Sequence, residues 1–212
     1  MAYLYLEIDG KVYTVRRGSQ LDLPTRGDPI PFPYRELHTV PWAGQEVVVG
    51  IPQLGSFPHQ WVGKDDVPGR GDASPLLRAC VHASLPRAVA EGIVRRGDEL
   101  LLVRPSRGLT QGRWTLPGGF LTFGEAPHQG VGREVTEELG VPCRVHELLG
   151  VRAKVGSHTG LYWLIFFYRV QLSAAPRPDP DEIAAARYFP KSKAVRVLAD
   201  ETMAAFVAQL PD

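Results

Sequence analysis

Glu134, Glu137 and Glu138 place three carboxylates within five residues. On an α-helix, which turns about 100° per residue, the three share one face. Val131, Val135 and Leu139 fall at i, i+4 and i+8 and make an adjacent apolar stripe. One face can therefore pack on a core while its neighbour presents acids to solvent or to a ligand. Like charges one turn apart repel and destabilise a helix. A hard divalent cation relieves that repulsion, because Mg²⁺ takes oxygen ligands and offsets the charge.

Such acids need a helix with fixed ends and a sheet to lie on. Glu125-Ala126-Pro127 supplies the acid and the proline of a first turn. Gly140 supplies the stop. Upstream, apolar runs at 87–94 and 99–103 flank Arg95-Arg96-Gly97-Asp98 and predict a hairpin. The polar loop 104–113 carries Arg104, Arg107 and Arg113. Downstream, 144–154, the aromatic and β-branched 161–170, and the short 186–189 read as strands. A proline- and aspartate-rich loop occupies 174–181, and 193–210 reads as one final helix that packs through Val197, Ala204, Phe206, Val207 and Leu210. Strands, helix, strands and helix predict an α+β sandwich.

The first 85 residues differ in character. Residues 3–8 alternate with period two, Asp9-Gly10 suits a type I′ turn, and 11–15 completes a hairpin. Residues 46–51 read as a strand. The stretches 18–38 and 52–75 are rich in proline or glycine and read as loop, with Phe57 and Trp61 as anchors in the second. The expected organisation is a small β-rich extension at 1–85, too proline-interrupted for a helical domain, and a second domain at 86–212.

Hydrophobic content of 44% suffices for a core, and a net charge of +1 gives no electrostatic case for nucleic acid or membrane as partner. Cys80 and Cys143 make no disulfide framework and read as buried thiols in a reducing cytoplasm. No signal peptide and no apolar run of about 18 residues is found, so a cytoplasmic chain is expected. His158 reads as a loop histidine, and no Cys/His spacing suggests zinc.

Residues 119–141 read Gly119, five residues, Glu125, seven residues, then Arg133-Glu134-Val135-Thr136-Glu137-Glu138-Leu139-Gly140-Val141. That pattern resembles the Nudix box at every defined position, and Trp114-Thr-Leu-Pro-Gly-Gly119 is similar to its usual lead-in. The resemblance to the Nudix hydrolase superfamily implies a mixed sheet between helices, an α/β/α sandwich. It also implies Mg²⁺- or Mn²⁺-dependent hydrolysis of a nucleoside diphosphate linked to another group. Carried over residue by residue, it makes Glu134 and Glu138 the best metal ligands, Glu137 a further ligand and the Gly119 carbonyl an additional one. Arg133 would orient Glu137, and Glu125 would stand behind the ligands rather than among them.

In this superfamily the base is a box glutamate, here Glu137 or Glu138, or an acid on a loop after the long strand. Of Asp179, Asp181 and Glu182, the last ranks first, with solvated turn residues as the alternative for all three. Arg104 and Arg107 are candidates for substrate phosphate because the guanidinium is bidentate and always charged; a solvated surface role is the alternative for each. Most of Tyr162, Trp163, Phe166, Phe167 and Tyr168 belong to a core, and one could stack on a base. Gly130, one turn before Glu134, either clears room for a phosphate or marks a loose helix start.

Motifs that the resemblance ties to NADH, coenzyme A or ADP-ribose are not met, and Tyr162 fits the dinucleoside polyphosphate pattern only loosely, so the substrate stays open. The β-rich extension is similar in placement to the dimer-building part of ADP-ribose hydrolases, which suggests a homodimer. Two competing readings are a metabolite-sensing regulator on the same fold, which would ordinarily lose box acids, and an isopentenyl diphosphate type isomerase, whose cysteine setting is not recognisable here.

Overall fold

The computed structural model describes residues 2–211. The chain divides into two compact units, residues 2–86 with Val155–Tyr162, and Arg87–Lys154 with residues 163–211.

In the first unit, β1 (Tyr3–Ile8) and β2 (Lys11–Val12) form the expected hairpin. Asp9 and Gly10 adopt φ of 49° and 71°, the positive angles a type I′ turn requires. A small hairpin, β3 (Val15–Arg17) and β4 (Gln20–Asp22), lies inside the stretch read as loop. β5 (Tyr34–Trp42), β6 (Gln45–Pro52) and β7 (Val62–Gly63) complete a sheet of order β5-β6-β1-β2-β7, with β1 and β6 parallel. β5 contains Pro41 and follows Pro33, which hides it in the sequence; it is tolerated because β5 is an edge strand.

The unit is β-rich, as expected, and it also holds one helix that the sequence reading did not place, α1 (Pro75–Ser84), whose Leu77 N–H donates to the Ser74 hydroxyl at 3.0 Å and whose first position is Pro75. Ser-Pro is a helix-start signal that the surrounding prolines masked. Leu77, Cys80 and Val81 of α1 pack with Tyr5, Trp42 and Val47. Tyr5 is fully buried, edge-on to Trp42 at 5.4 Å, with its hydroxyl 2.9 Å from the Ser84 hydroxyl. The Trp42 indole N–H donates to the Gly160 carbonyl at 3.0 Å. Trp61 anchors its loop against Tyr13 and Phe32, whereas Phe57 is exposed.

The second unit is built on β8 (Arg87–Arg96), β9 (Glu99–Pro105), β10 (Gly118–Phe120), β11 (Cys143–Val155), β12 (Tyr162–Leu172) and β13 (Ile183–Pro190). The order is β11-β12-β8-β9-β13, with β10 on β8. β12 runs parallel to β8, while β10 on β8 and β13 on β9 are antiparallel, so the sheet is mixed. Period-two alternation sends successive residues to opposite faces. Ala90, Val94, Leu101, Val103 and Val170 pack on Val131, Val135 and Leu139 of α2 (Pro127–Leu139). Val89, Ile93, Leu100, Leu102, Ile165 and Phe167 pack on the other face, against Ala194, Met203, Phe206 and Val207. The fold is α+β, the sheet lying between α2 and the C-terminal helices.

The expected single C-terminal helix is two: α3 (Lys191–Val197) and α4 (Glu201–Gln209). The break is local chemistry. The Asp200 carboxylate accepts from the Met203 N–H at 3.0 Å and starts a new helix. Both cysteines are free thiols; Cys80 is buried, but Cys143 is only half-buried, with its thiol against the Gly132 carbonyl. No helix among the described residues is long and apolar enough to cross a membrane.

Candidate active site

β8 and β9 pair only beside their turn, at Arg95 with Leu100 and Arg96 with Glu99, and then part. Residues 115–120 fill the gap: Thr115 bridges Val103, and β10 runs along Val89–Glu91. At this parting lies a cleft of about 650 Å³. Val89, Glu91, Ile165 and Met203 line it from the face that carries α3 and α4, and Glu134 and Glu138 line it from α2. Gly118 and Gly119 complete the lining. A side chain at Gly118 would overlap the Ala90 carbonyl and come 2.9 Å from Glu91 Oε2, and its φ of 148° favours glycine besides. A Cβ on Gly119 would sit 2.7 Å from the Glu134 carboxyl carbon. The two glycines are what lets acids from both faces reach one place.

α2 starts with Pro127 in its first turn and stops at Gly140, whose φ is 64°. Its apolar stripe is fully buried, which turns the acid face toward the 118–120 strand. Glu138 is 9% exposed, and its Oε2 accepts from the Gly118 N–H at 3.0 Å. Burial pushes its carboxyl up to about 8; the Gly118 N–H acts against this and the Glu134 charge with it.

Arg133 gathers the acids around it. Its Nε and Nη2 donate to the two oxygens of Glu125, each at 3.0 Å. Its Nη1 donates to Glu134 at 2.7 Å and to Glu137 at 3.1 Å, and Nη2 also donates to the Phe120 carbonyl at 3.0 Å. The expected partner, Glu137, is thus one of three. Glu125 also accepts from the Thr122 N–H and hydroxyl, and Arg133 first, Thr122 second, hold its carboxyl down at about 2. Glu125 does not line the cleft and touches Glu134 only through Arg133. Glu137 is the outlier of the acid face: its side chain is 54% exposed and lies outside the cleft lining.

Of the loop acids, Glu182 lines the cleft and accepts from Arg107 Nη2 at 2.8 Å; Asp179 and Asp181 do not line it. Arg107 lines it too, with its charge partly taken up by Glu182. Arg104 lies apart, its guanidinium 5.5 Å from the Trp114 ring centre. Among the aromatics of β12, Trp163 lines the cleft, tilted against Phe120 at 5.5 Å, while Phe167 is buried and stacked on Phe206. Gly130 is neither a phosphate berth nor part of a loose helix start. It is buried, its N–H bonds the Ala126 carbonyl at 3.0 Å, and a Cβ there would overlap Leu121.

Three cleft residues escaped the sequence reading. Glu91 is 5% exposed, and its Oε2 has no hydrogen-bond partner among the described residues. Burial first, then the Glu138 charge, holds its carboxyl well above the usual range. The available signal was a single acid inside an apolar strand, Ala88-Val89-Ala90-Glu91-Gly92-Ile93-Val94. Lys154 and Asp200, paired with each other, carried no such signal.

Among the described residues, no three or more His, Cys, Asp and Glu side chains are grouped so as to hold a metal ion by themselves. A buried carboxylate pressed toward neutrality beside another acid, with an orphaned oxygen near it, is a donor set a divalent cation would satisfy.

The NUDIX domain profile matches residues 85–210. The chain is 36% identical over 66 residues to an ADP-ribose pyrophosphatase of Methanocaldococcus jannaschii, covering 31% of this chain and 39% of that protein. It is 29% identical over 142 residues to the NAD-capped RNA hydrolase NudC of Stutzerimonas stutzeri, covering 66% of this chain and 50% of that one. It therefore spans half or less of the length of these relatives. A MutT NUDIX hydrolase of Burkholderia pseudomallei superposes with a TM-score of 0.51 at 28% identity, covering 60% of this chain and all of that one. With the profile spanning more than half of the chain, and with Glu134 and Glu138 of 119–141 lining the cleft, the protein belongs to the NUDIX family.

Proposed function

We propose that the second unit hydrolyses the pyrophosphate bond of a nucleoside diphosphate linked to another group, with Mg²⁺ or Mn²⁺ as cofactor. The observation that carries this is Glu138, a buried acid held on the Gly118 N–H in a cleft shared with Glu134. Glu134, Glu138 and the Gly119 carbonyl would hold the cation, and Glu137 would reach it from the rim. When bound, the cation supplies neutralisation of the pyrophosphate oxygens and acidifies water.

The protein's own groups do the rest. Arg133 fixes Glu134 through the 2.7 Å bond and is itself anchored by Glu125. Glu182, standing at the cleft beside Arg107, takes the proton of the attacking water, with Glu138 as the box alternative. Arg107, Arg113 and Lys154 offer positive charge to phosphate from the cleft wall; Arg104, its guanidinium 5.5 Å from the Trp114 ring centre, does not line the cleft. Trp163 and Phe120 offer an aromatic face to a base.

Relatives named for ADP-ribose and for NAD-capped RNA direct the substrate test, and the second bears on the expectation that nucleic acid is not a partner. The test is a panel of ADP-ribose, NADH, dinucleoside polyphosphates, coenzyme A and an NAD-capped oligonucleotide, with Mg²⁺ or Mn²⁺, on wild type and Glu138→Gln. Nucleotide or phosphate release from one compound, lost in the variant, supports the proposal. No release from any compound, with tight binding of one, replaces it with a sensor. A homodimer through the first unit is part of the same proposal, and a single-chain mass by light scattering removes it.

A further inference from the structure

Glu91 lies outside the 119–141 segment, on β8, and no other feature of the cleft explains it. It lines the cleft at 5% exposure, and its Oε2 meets no donor among the described residues. Leaving a carboxyl oxygen buried and unpaired is a net cost in a structure that gains nothing from it. An apolar residue is what the flanking Val89, Ala90, Ile93 and Val94, all buried, would lead one to expect. The lone acid interrupts that pattern at one position, opposite Gly118 in the β8–β10 register.

Gly118 is where two acids meet. Its N–H bonds Glu138 Oε2 at 3.0 Å, and the place its side chain would take is 2.9 Å from Glu91 Oε2. Glu138 and Glu91 thus approach the same residue from α2 and from the sheet, and Glu134 meets the next residue, Gly119. The nearby cation, Lys154, is paired with Asp200 and does not bond Glu91. Two acids facing one glycine, with Lys154 already paired to Asp200, form a site with oxygen donors and no positive partner bonded to Glu91 Oε2.

We propose that Glu91 is a metal-holding residue of this chain, its Oε2 sharing a divalent cation with Glu138. The inference rests on the proposed metal-dependent reading of the cleft. It adds a ligand from the sheet, outside the box, that would fix the cation at the cleft floor rather than at the exposed rim near Glu137.

The test measures binding of Mn²⁺ alone, by electron paramagnetic resonance of the free ion and by the metal-dependent rise in Tm. It compares wild type, Glu91→Gln, Glu138→Gln and, as a surface control, Glu147→Gln. Glu91→Gln is expected to weaken Mn²⁺ binding by at least roughly tenfold, to shrink the metal-induced rise in Tm, and to resemble Glu138→Gln; Glu147→Gln is expected to match wild type. Wild-type affinity in Glu91→Gln together with a loss in Glu138→Gln overturns the role of Glu91 and leaves the metal-dependent cleft standing. No Mn²⁺ binding by wild type overturns both. Should Glu91→Gln not fold, wild-type crystals grown with Mn²⁺ decide: an anomalous peak about 2.1 Å from a Glu91 oxygen supports the inference, and a peak away from Glu91 overturns it.

Discussion

Replacing Glu138 with glutamine should make the metal-free protein more stable, and by an amount that depends on pH. Glu138 is nine-tenths buried with its carboxyl pushed up to about 8 from an ordinary 4.5, burial being the main cause. For an acid whose folded value is raised, the contribution to stability is fully present below the unfolded value and is lost as pH rises through the folded one. The window is therefore from about 4.5 to about 8. At pH 7 the unfolded chain has shed this proton and the folded chain retains it. The interval of roughly two and a half pH units, at ~1.4 kcal/mol each, gives about 3 kcal/mol. Glutamine has no proton to lose, and its amide oxygen can still accept from the Gly118 N–H. Glu138→Gln should thus gain roughly 3 kcal/mol at pH 7, a rise in Tm of about 6–12 °C for a chain of this size, and under about 1 kcal/mol at pH 5. Melts in EDTA across pH 5 to 8 measure it. A Tm difference that stays flat over that range, or a variant less stable than wild type at pH 7, would refute the account of a carboxyl strained by burial beside Glu134. Saturating Mn²⁺ should reverse the order, since only wild type gains from the cation.

Three other perturbations test the framework around the acids. Gly130→Ala sets about 1 kcal/mol of helix propensity in its favour against overlap with Leu121, which costs roughly 1–3 kcal/mol; urea melts should show a net loss that Leu121→Ala relieves in the double variant. Asp200→Ala should remove the cap of α4 and lower stability by about 1 kcal/mol, while Asp200→Asn keeps the cap on Met203 and loses only the Lys154 pairing; equal Tm values for the two would deny the cap. Glu125 is held down at about 2, chiefly by Arg133, so its contribution is present above about 4.5 and is lost as pH falls toward 2. The Tm gap between wild type and Glu125→Gln should accordingly be full at pH 6 and close below pH 4.5, and a gap unchanged at pH 3 would contradict the pairing.

Local rules carried much of this fold. The Asp9-Gly10 turn, the strands on either side of Gly97 and the helix between Pro127 and Gly140 are each dictated by residues within a few positions of one another. What escaped reading was decided elsewhere. β5 tolerates Pro41 only because the sheet places it at an edge, which no window of sequence reports. The C-terminal helix breaks at Leu198 because Leu198 is buried and Asp200 finds a free N–H, although the apolar period runs on. For the cleft, the acids of one helix could be read from their spacing, since a single element positions them. Glu182 could be placed only on a loop, and Glu91 was hidden in a strand, because their approach depends on sheet register rather than on distance along the chain. Arg104 and Arg107, three residues apart, went to different neighbours, Trp114 and Glu182, which proximity in sequence does not resolve.

The parting of β8 from β9 has a mechanical consequence. Away from the turn, before Arg95 in β8 and after Leu100 in β9, the two strands no longer brace each other, and their inner edges are secured by the 115–120 segment, through Gly92 to the Pro117 carbonyl on one side and Thr115 to Val103 on the other. The floor under the acids is therefore a wedge driven into the sheet, clamped along both margins. Under the proposed hydrolysis, negative charge would build over this clamped floor, while Pro105, Arg107 and Arg113 supply the facing part of the lining.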